Sequence, residues 1–156
     1  MTPRPAALPQ EAVVSLSTTT SAIFLVGRIL FVALFVVSAQ GHIANHARYV
    51  TTASGRIPVP YVAGWPVGAW LILAILSIVL GIWPDVGVLM IAAFLIPTTI
   101  LFHPFWTFSD AAQRRTQRGS FFRNISLLGA TLALFAFLTT IGPGLFAITG
   151  SLFSLR

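Results

Sequence analysis

The sequence predicts an all-α membrane protein, a four-transmembrane-helix bundle with a short interfacial helix between the third and fourth spans. Three observations carry that expectation. Of the 156 residues, 56% are hydrophobic and only 8% charged, with a mean hydropathy of +0.91, whereas a soluble domain carries about a quarter charged residues. Four apolar stretches each approach the roughly 20 residues a helix needs to cross the hydrocarbon layer. Sustained polar/apolar alternation is absent, and an open sheet edge has no partner for its peptide groups in lipid.

Met1–Ser21 is rich in Pro, Ser and Thr, with Arg4 and Glu11 as its only charges, and reads as a loose tail (1–21) before a transmembrane domain (22–156). The first span is expected over Ala22–His42. That stretch exceeds the h-region of about 7–15 residues in a signal peptide, so it reads as an uncleaved helix. The second span is expected over Val67–Trp83, the third over Val86–His103 and the fourth over Phe121–Ile141. Pro97 should kink the third by removing a backbone donor, with Thr98 or Thr99 free to bond the carbonyl it leaves.

Ile43–Pro66 is a long connection with Arg48 and Arg56. Pro84-Asp85 is a tight one, so the second and third helices should form an antiparallel hairpin. In Pro104–Ser120, Asp110 can cap a short interfacial helix, with Gln113 three residues on closing a capping box. Gly142-Pro143-Gly144 breaks the last helix. Leu145–Leu155 is too short to span, and should lie at the surface or extend that helix beyond a kink.

The chain has no cysteine, which excludes disulfides, thiolate metal sites, thiol catalysis and iron–sulfur ligation by its own residues. The net charge is +6, and the nine basic residues are all Arg. Most flank apolar runs, which points to lipid headgroups and orientation rather than nucleic acid. Counting Arg residues near helix ends places both long connections in the cytoplasm and both termini outside, in a multi-pass protein of the inner (plasma) membrane.

Arg28 is the one charge well inside an apolar run. Burying it costs roughly 2.5–3.5 kcal/mol on insertion scales. It either snorkels to the outer headgroups or faces a polar cavity, an anion or a carbonyl. At the inner face, His42 and His103 end the first and third spans, and His46 would stand one turn beyond His42 if that helix continued. Neutral imidazoles there can bind haem or a metal or shuttle protons. Without a neighbouring carboxylate, interfacial hydrogen bonding is the expected role, with no metal site and haem disfavoured.

Phe105 and Trp106 suit the interface. With Gln40 and Asn45 at the same face, and Arg123 and Asn124 opening the fourth span, they could line a pocket for a flat lipid-soluble molecule such as a quinone. The pairs Gly129/Ala133 and Gly64/Gly68 are spaced for close helix approach. The acids are Glu11, Asp85 and Asp110 alone, none mid-span, so a buried carboxylate pair is not expected to do acid–base chemistry. No Walker loop, dinucleotide fingerprint, zinc-protease motif or nucleophile elbow is present.

Several of these residues form a familiar phrase. Gly27-Arg28-Ile29-Leu30 and Ser38-Ala39-Gln40-Gly41-His42 are followed by Ala93-Phe94 through Leu101-Phe102-His103-Pro104-Phe105-Trp106, Asp110, Gln113 and Phe122-Arg123-Asn124-Ile125-Ser126-Leu127-Leu128-Gly129. Over roughly Ala22–Leu134 the chain resembles the DoxX family of four-helix membrane proteins. The resemblance implies an association with quinone-linked or oxidative-stress-linked oxidoreductase systems, through a redox protein partner. By position it implicates Arg28, His103, Phe105, Trp106, Arg123 and Asn124. Family members often carry a Glu in the second helix before a Gly-Gly step. Here that stretch is Ala69-Trp70-Leu71-Ile72-Leu73-Ala74, which favours a supporting subunit over a quinone-linked oxidoreductase in its own right. A small carrier or channel is the third expectation, with the Pro97 kink as its only hint.

Overall fold

Ser17 opens the first helix: its hydroxyl accepts from the Thr20 amide at 3.2 Å, satisfying one of the donors a helix start leaves free. The computed structural model describes residues 16–155. It places α1 at Thr18–Ala44, so the helix begins inside the stretch read as tail. Arg4, Glu11 and Arg156, which entered the charge count, lie outside the described residues. The remaining helices are α2 (His46–Ala53), α3 (Trp65–Leu80), α4 (Pro84–Phe102) and α5 (Ala111–Thr140), with 3-10 turns at Pro60–Ala63 and Phe105–Thr107. Among the described residues there is no strand.

Two sequence expectations change, the separate Arg-rich helix and the role of Thr99 beside Pro97. The Arg-rich helix is not separate from the last span. Asp110 caps it, accepting from the Gln113 amide at 2.7 Å, and α5 then runs unbroken for 30 residues. Gly119 is the weak step where the polarity changes, and a single Gly costs about 1 kcal/mol against Ala, too little to end a helix. Pro97 lies inside a continuous α4. The Thr99 hydroxyl bonds the Leu95 carbonyl at 2.6 Å, not that of Ala93, which Pro97 leaves without its usual donor.

α1 packs on α3, α3 on α4 and α4 on α5. The Phe24 and Phe137 rings, 4.6 Å apart, bring the end of α5 back to the start of α1. The core is apolar and small-to-medium: Val32, Phe35, Ala39, Leu71, Ala74, Ile78, Val88, Ile91, Leu95 and Leu138. Two glycines set the spacing. A Cβ on Gly68 would lie 2.5 Å from Ile43 Cγ1, and one on Gly87 would lie 2.5 Å from Ser77 Oγ and 2.8 Å from the Ala74 carbonyl. Gly129 and Ala133, the other small pair, face outward with nothing within 4 Å of the glycine.

α1, α5, and α4 taken with the turn to Thr107 are long and apolar enough to cross a membrane; α3 has 16 residues. At about 1.5 Å per residue α3 rises about 24 Å and α1 about 40 Å. The α3–α4 hairpin therefore ends well short of the start of α1, and the last residues of the chain fill the notch. They neither extend α5 nor form a helix. The Ile148 and Thr149 amides donate to the Leu80 and Gly81 carbonyls at 3.1 and 3.0 Å. The Trp83 amide donates to Thr149 Oγ1 at 2.9 Å, and Ser151 Oγ donates to the Leu138 carbonyl at 2.7 Å. Irregular backbone at membrane depth persists only when its polar groups are satisfied like this.

Candidate functional site

The buried charges sit beneath this C-terminal strap. Arg28 is 1% exposed. It does not snorkel: Nη1 donates to the Ile78 carbonyl at 3.2 Å and Nη2 to the Phe146 carbonyl at 2.7 Å, while Nε is buried with no partner among the described residues. Its guanidinium lies 5.4 Å from the Phe24 ring centroid. Gly81, at φ 66, caps α3 in the left-handed region and lets the strap close over Arg28: a Cβ there would meet Ala147 at 2.5 Å. Asp85 is fully buried and accepts from the Leu152 and Phe153 amides at 3.0 and 2.7 Å. Arg28 thus stands at the C-terminal end of α3 and Asp85 in the first turn of α4. Each helix end presents the partial charge that stabilises it. Both groups are committed to backbone, so they hold structure rather than offer a reactive charge.

The opposite, arginine-rich end carries the histidines. α1 stops at Ala44, and Asn45, at φ −115 and ψ 39, turns the chain into α2. His42 and His46 therefore do not share a continuous helix. His42 is buried. Its Nδ1 lies 2.5 Å from the Ala63 carbonyl, its ring stacks on Tyr49 at 3.9 Å, and Phe94 meets it edge-on at 5.8 Å. A carbonyl only accepts, so Nδ1 carries the proton and Nε2 keeps its lone pair. Among the described residues Nε2 has no hydrogen-bond partner. His46 is arranged the other way: its Nδ1 accepts from the Trp65 amide at 3.1 Å and its ring meets Tyr61 edge-on. Gly64 makes room for that ring, since a Cβ would overlap it.

His103, half-buried, ends α4 on the other side of this face. Its Nδ1 lies 2.7 Å from Gln117 Oε1; as the amide is assigned, His103 donates and its Nε2 is again left as acceptor. Phe105, Trp106, Phe121 and Phe122 form one ring cluster beside it. Arg123 is exposed, with Nη2 3.5 Å from Ser120 Oγ. Asn124 is buried, with no hydrogen-bond partner for its side chain among the described residues.

The residues expected to line one inner-face pocket thus fall into separate groups. His103, Phe105, Trp106, Arg123 and Asn124 lie along the α4–α5 side. His42 belongs to a cluster with Tyr49, Ala63 and Phe94. Gln40 lines a shallow apolar groove of about 440 Å³ between α1 and α3, with Ile43, Ile72 and Leu76 among its neighbours. No hydrogen bond or ring contact joins the two histidine groups among the described residues. No three His, Asp or Glu side chains gather as a metal site among those residues.

Sequence reasoning missed Asp85 as an anchor, Tyr49 as the ring over His42, and Gln117 as the partner of His103. Asp85 was the readable one: an acid directly after Pro84 at a helix start is where the helix favours negative charge. Tyr49 and Gln117 carried no comparable signal, because both contacts depend on a turn in the chain between the partners. Compared with protein-family models, curated proteins and solved structures, the chain matches none.

Proposed function

We propose that the chain is a four-span accessory subunit of a quinone-linked or oxidative-stress-linked redox system in the inner (plasma) membrane. Its arginine-rich end faces the cytoplasm, where a redox protein partner docks. Three long apolar helices support the membrane placement, and α3, flanked by α1 and α4, supplies the fourth crossing. Arg48, Arg56, Arg114, Arg115, Arg118 and Arg123 at one end support the orientation. The DoxX-like phrase around His103–Trp106 and Arg123-Asn124 supports the redox setting.

One observation carries the quinone part. The His42 imidazole is held by Ala63, flanked by Tyr49 and Phe94, and keeps an unpartnered Nε2. A fixed acceptor among aromatic rings suits the hydroxyl and flat ring of a quinol. The two buried charges are tied to backbone, which favours a supporting role.

The test is photolabelling of detergent-purified protein with an azido-quinone, combined with cross-linking in native membranes. Label on the segment around Tyr49 or Phe94, lost in His42→Ala, together with a cross-linked oxidoreductase, is the expected result. Absence of both label and oxidoreductase removes the proposal. The unpartnered Nε2 atoms of His42 and His103 favour a second reading, in which the chain turns over quinone itself. Quinone-dependent turnover by the isolated chain, abolished in His103→Ala, would select that reading.

A further inference from the structure

The connection from α4 to α5 builds a feature that the quinone reading does not use. Between Phe108 and the first turns of α5 lies a cleft of about 420 Å³, lined otherwise by Ala112, Gln113, Thr116 and Gln117. Its walls are fixed. Arg114 Nε donates to the Phe108 carbonyl at 2.8 Å, which pins the loop to the helix. His103 Nδ1 donates to Gln117 Oε1 at 2.7 Å, which orients that carboxamide.

These bonds consume acceptors and leave donors. The terminal nitrogens of Arg114 and the side-chain amide nitrogens of Gln113 and Gln117 have no partner among the described residues. Thr116 gives its hydroxyl proton to the Ala112 carbonyl. Arg115 and Arg118 are exposed in the same turns, with no partner among the described residues. Asp110, the one acid in this connection, accepts the Gln113 backbone amide through Oδ1 and keeps its negative charge, which Arg114, Arg115 and Arg118 outnumber.

Depth narrows the ligand. Trp106 and Phe122, more than half exposed in the ring cluster, belong at the edge of the hydrocarbon. Gln117 and Ala112 precede Phe121 by four and nine residues. That sets the cleft roughly 6–14 Å further out along α5 at 1.5 Å per residue. The headgroup layer on each side is roughly 5–8 Å thick. The cleft therefore opens at the level of the lipid phosphates and just beyond. Orienting the protein needs only charge, not an open cleft whose carboxamide is positioned by a histidine.

We infer that this cleft binds an anionic phosphate ester, with Gln113 and Gln117 in its lining and Arg114, bonded to Phe108 at its edge, as the donors. The ester is either the headgroup of an anionic phospholipid or a free phosphate ester from the water side. Arginine is suited to phosphate because its planar fork gives two parallel charge-assisted bonds. The inference rests on the membrane placement of α5 proposed above but not on quinone binding, since neither His42 nor a redox partner enters it.

The test uses full-length protein in dodecyl maltoside micelles, titrated with fluorescent phosphatidylglycerol, with fluorescent phosphatidylcholine, and separately with glycerol 3-phosphate as competitor. Helix content is checked for every variant. Phosphatidylglycerol should bind at least tenfold more tightly than phosphatidylcholine, and Arg114→Gln should weaken it about tenfold, the effect of one lost charge-assisted bond. Ala112→Leu should weaken binding similarly with no change in charge, because it fills the cleft. Arg48→Gln, which removes a charge at the same end but away from the cleft, should have little effect. Competition by glycerol 3-phosphate would assign the site to phosphate esters generally, and lack of competition would assign it to the lipid. Equal binding of the two lipids, with no effect of glycerol 3-phosphate on either, would overturn the inference. So would an Arg48→Gln loss as large as that of Arg114→Gln, or an unchanged affinity in a folded Ala112→Leu protein.

Discussion

Arg28 and Asp85 carry opposite charges at the same end of the bundle, yet they bond not to each other but to the same C-terminal segment. Arg28 donates to the Phe146 carbonyl, and Asp85 accepts the Leu152 and Phe153 amides. The strap is therefore held at two points by charge-assisted bonds, between helix ends whose dipoles favour each charge. Asp85→Ala would strand two amides, costing roughly 2–6 kcal/mol at about 1–3 kcal/mol for each unsatisfied donor. Arg28→Met should also destabilise. Because one lost anchor frees the strap from the other, the double variant should cost less than the sum of the two. A thermal-unfolding cycle in detergent reads that coupling, and strict additivity would show that the strap does not link them.

The strap's outward side chains are apolar. Leu145, Ile148 and Leu152 are each more than half exposed, which in a membrane means exposed to lipid. The chain has no cysteine, so Leu152→Cys gives a single labelling site. A polarity-sensitive fluorophore there should emit as in an apolar medium and be quenched by brominated lipid. Adding Asp85→Ala should shift emission toward that of water. A water-like signal in the protein with Asp85 intact would place the strap outside the bilayer.

Glycine spacing gives a sharper contrast. Gly68→Ala puts a methyl against Ile43 and the Ala39 carbonyl, at 2.5 and 3.0 Å, where α1 and α3 meet. Overpacking of this kind costs about 1–3 kcal/mol. Gly129→Ala meets nothing within 4 Å, so it should be neutral or stabilise by up to about 1 kcal/mol through helix propensity. Melting temperatures of the two variants check the pair. A large loss at Gly129 would mean that its outer face is covered by another chain.

What could be read in the sequence was whatever depends on local spacing. The apolar runs, the Asp110 cap and the break after Ile141 all rest on residues a few positions apart, whereas the Ser17 cap was lost in a stretch read as tail. The sequence leaves Arg28 open between snorkelling and facing a polar cavity, an anion or a carbonyl. The answer lies in Phe146, 118 positions away, and no periodicity connects them. The inner-face residues were grouped by membrane level, which sequence gives. Sequence does not give their angular position around the bundle, and that is what separates His42 from His103. The continuity of α5 was misread because polarity changes near Ser120. Polarity reports the surroundings of a helix, whereas continuity depends on backbone bonds that Gly119 alone does not break.

The remaining expectation concerns α3. Its 16 residues rise about 24 Å, against roughly 30 Å of hydrocarbon. It lies between α1 and α4, and its chain direction carries Trp65 near His46 at one end to Ile78 beside Arg28 at the other. If it crosses, the connections before α3 and after α4 share one side of the membrane. Ser54 and Ser109 are exposed in those connections, and each can be replaced by Cys in a chain that has none. Both should react with a membrane-impermeant maleimide in inverted vesicles and be protected in right-side-out ones, since the arginines favour the cytoplasmic side. Reaction from the same but opposite side would keep the fourth crossing and reverse the orientation. Reaction of the two sites from different sides would mean that only one of α3 and α4 crosses. Arg28 and the His42 cluster would then need new positions relative to the bilayer.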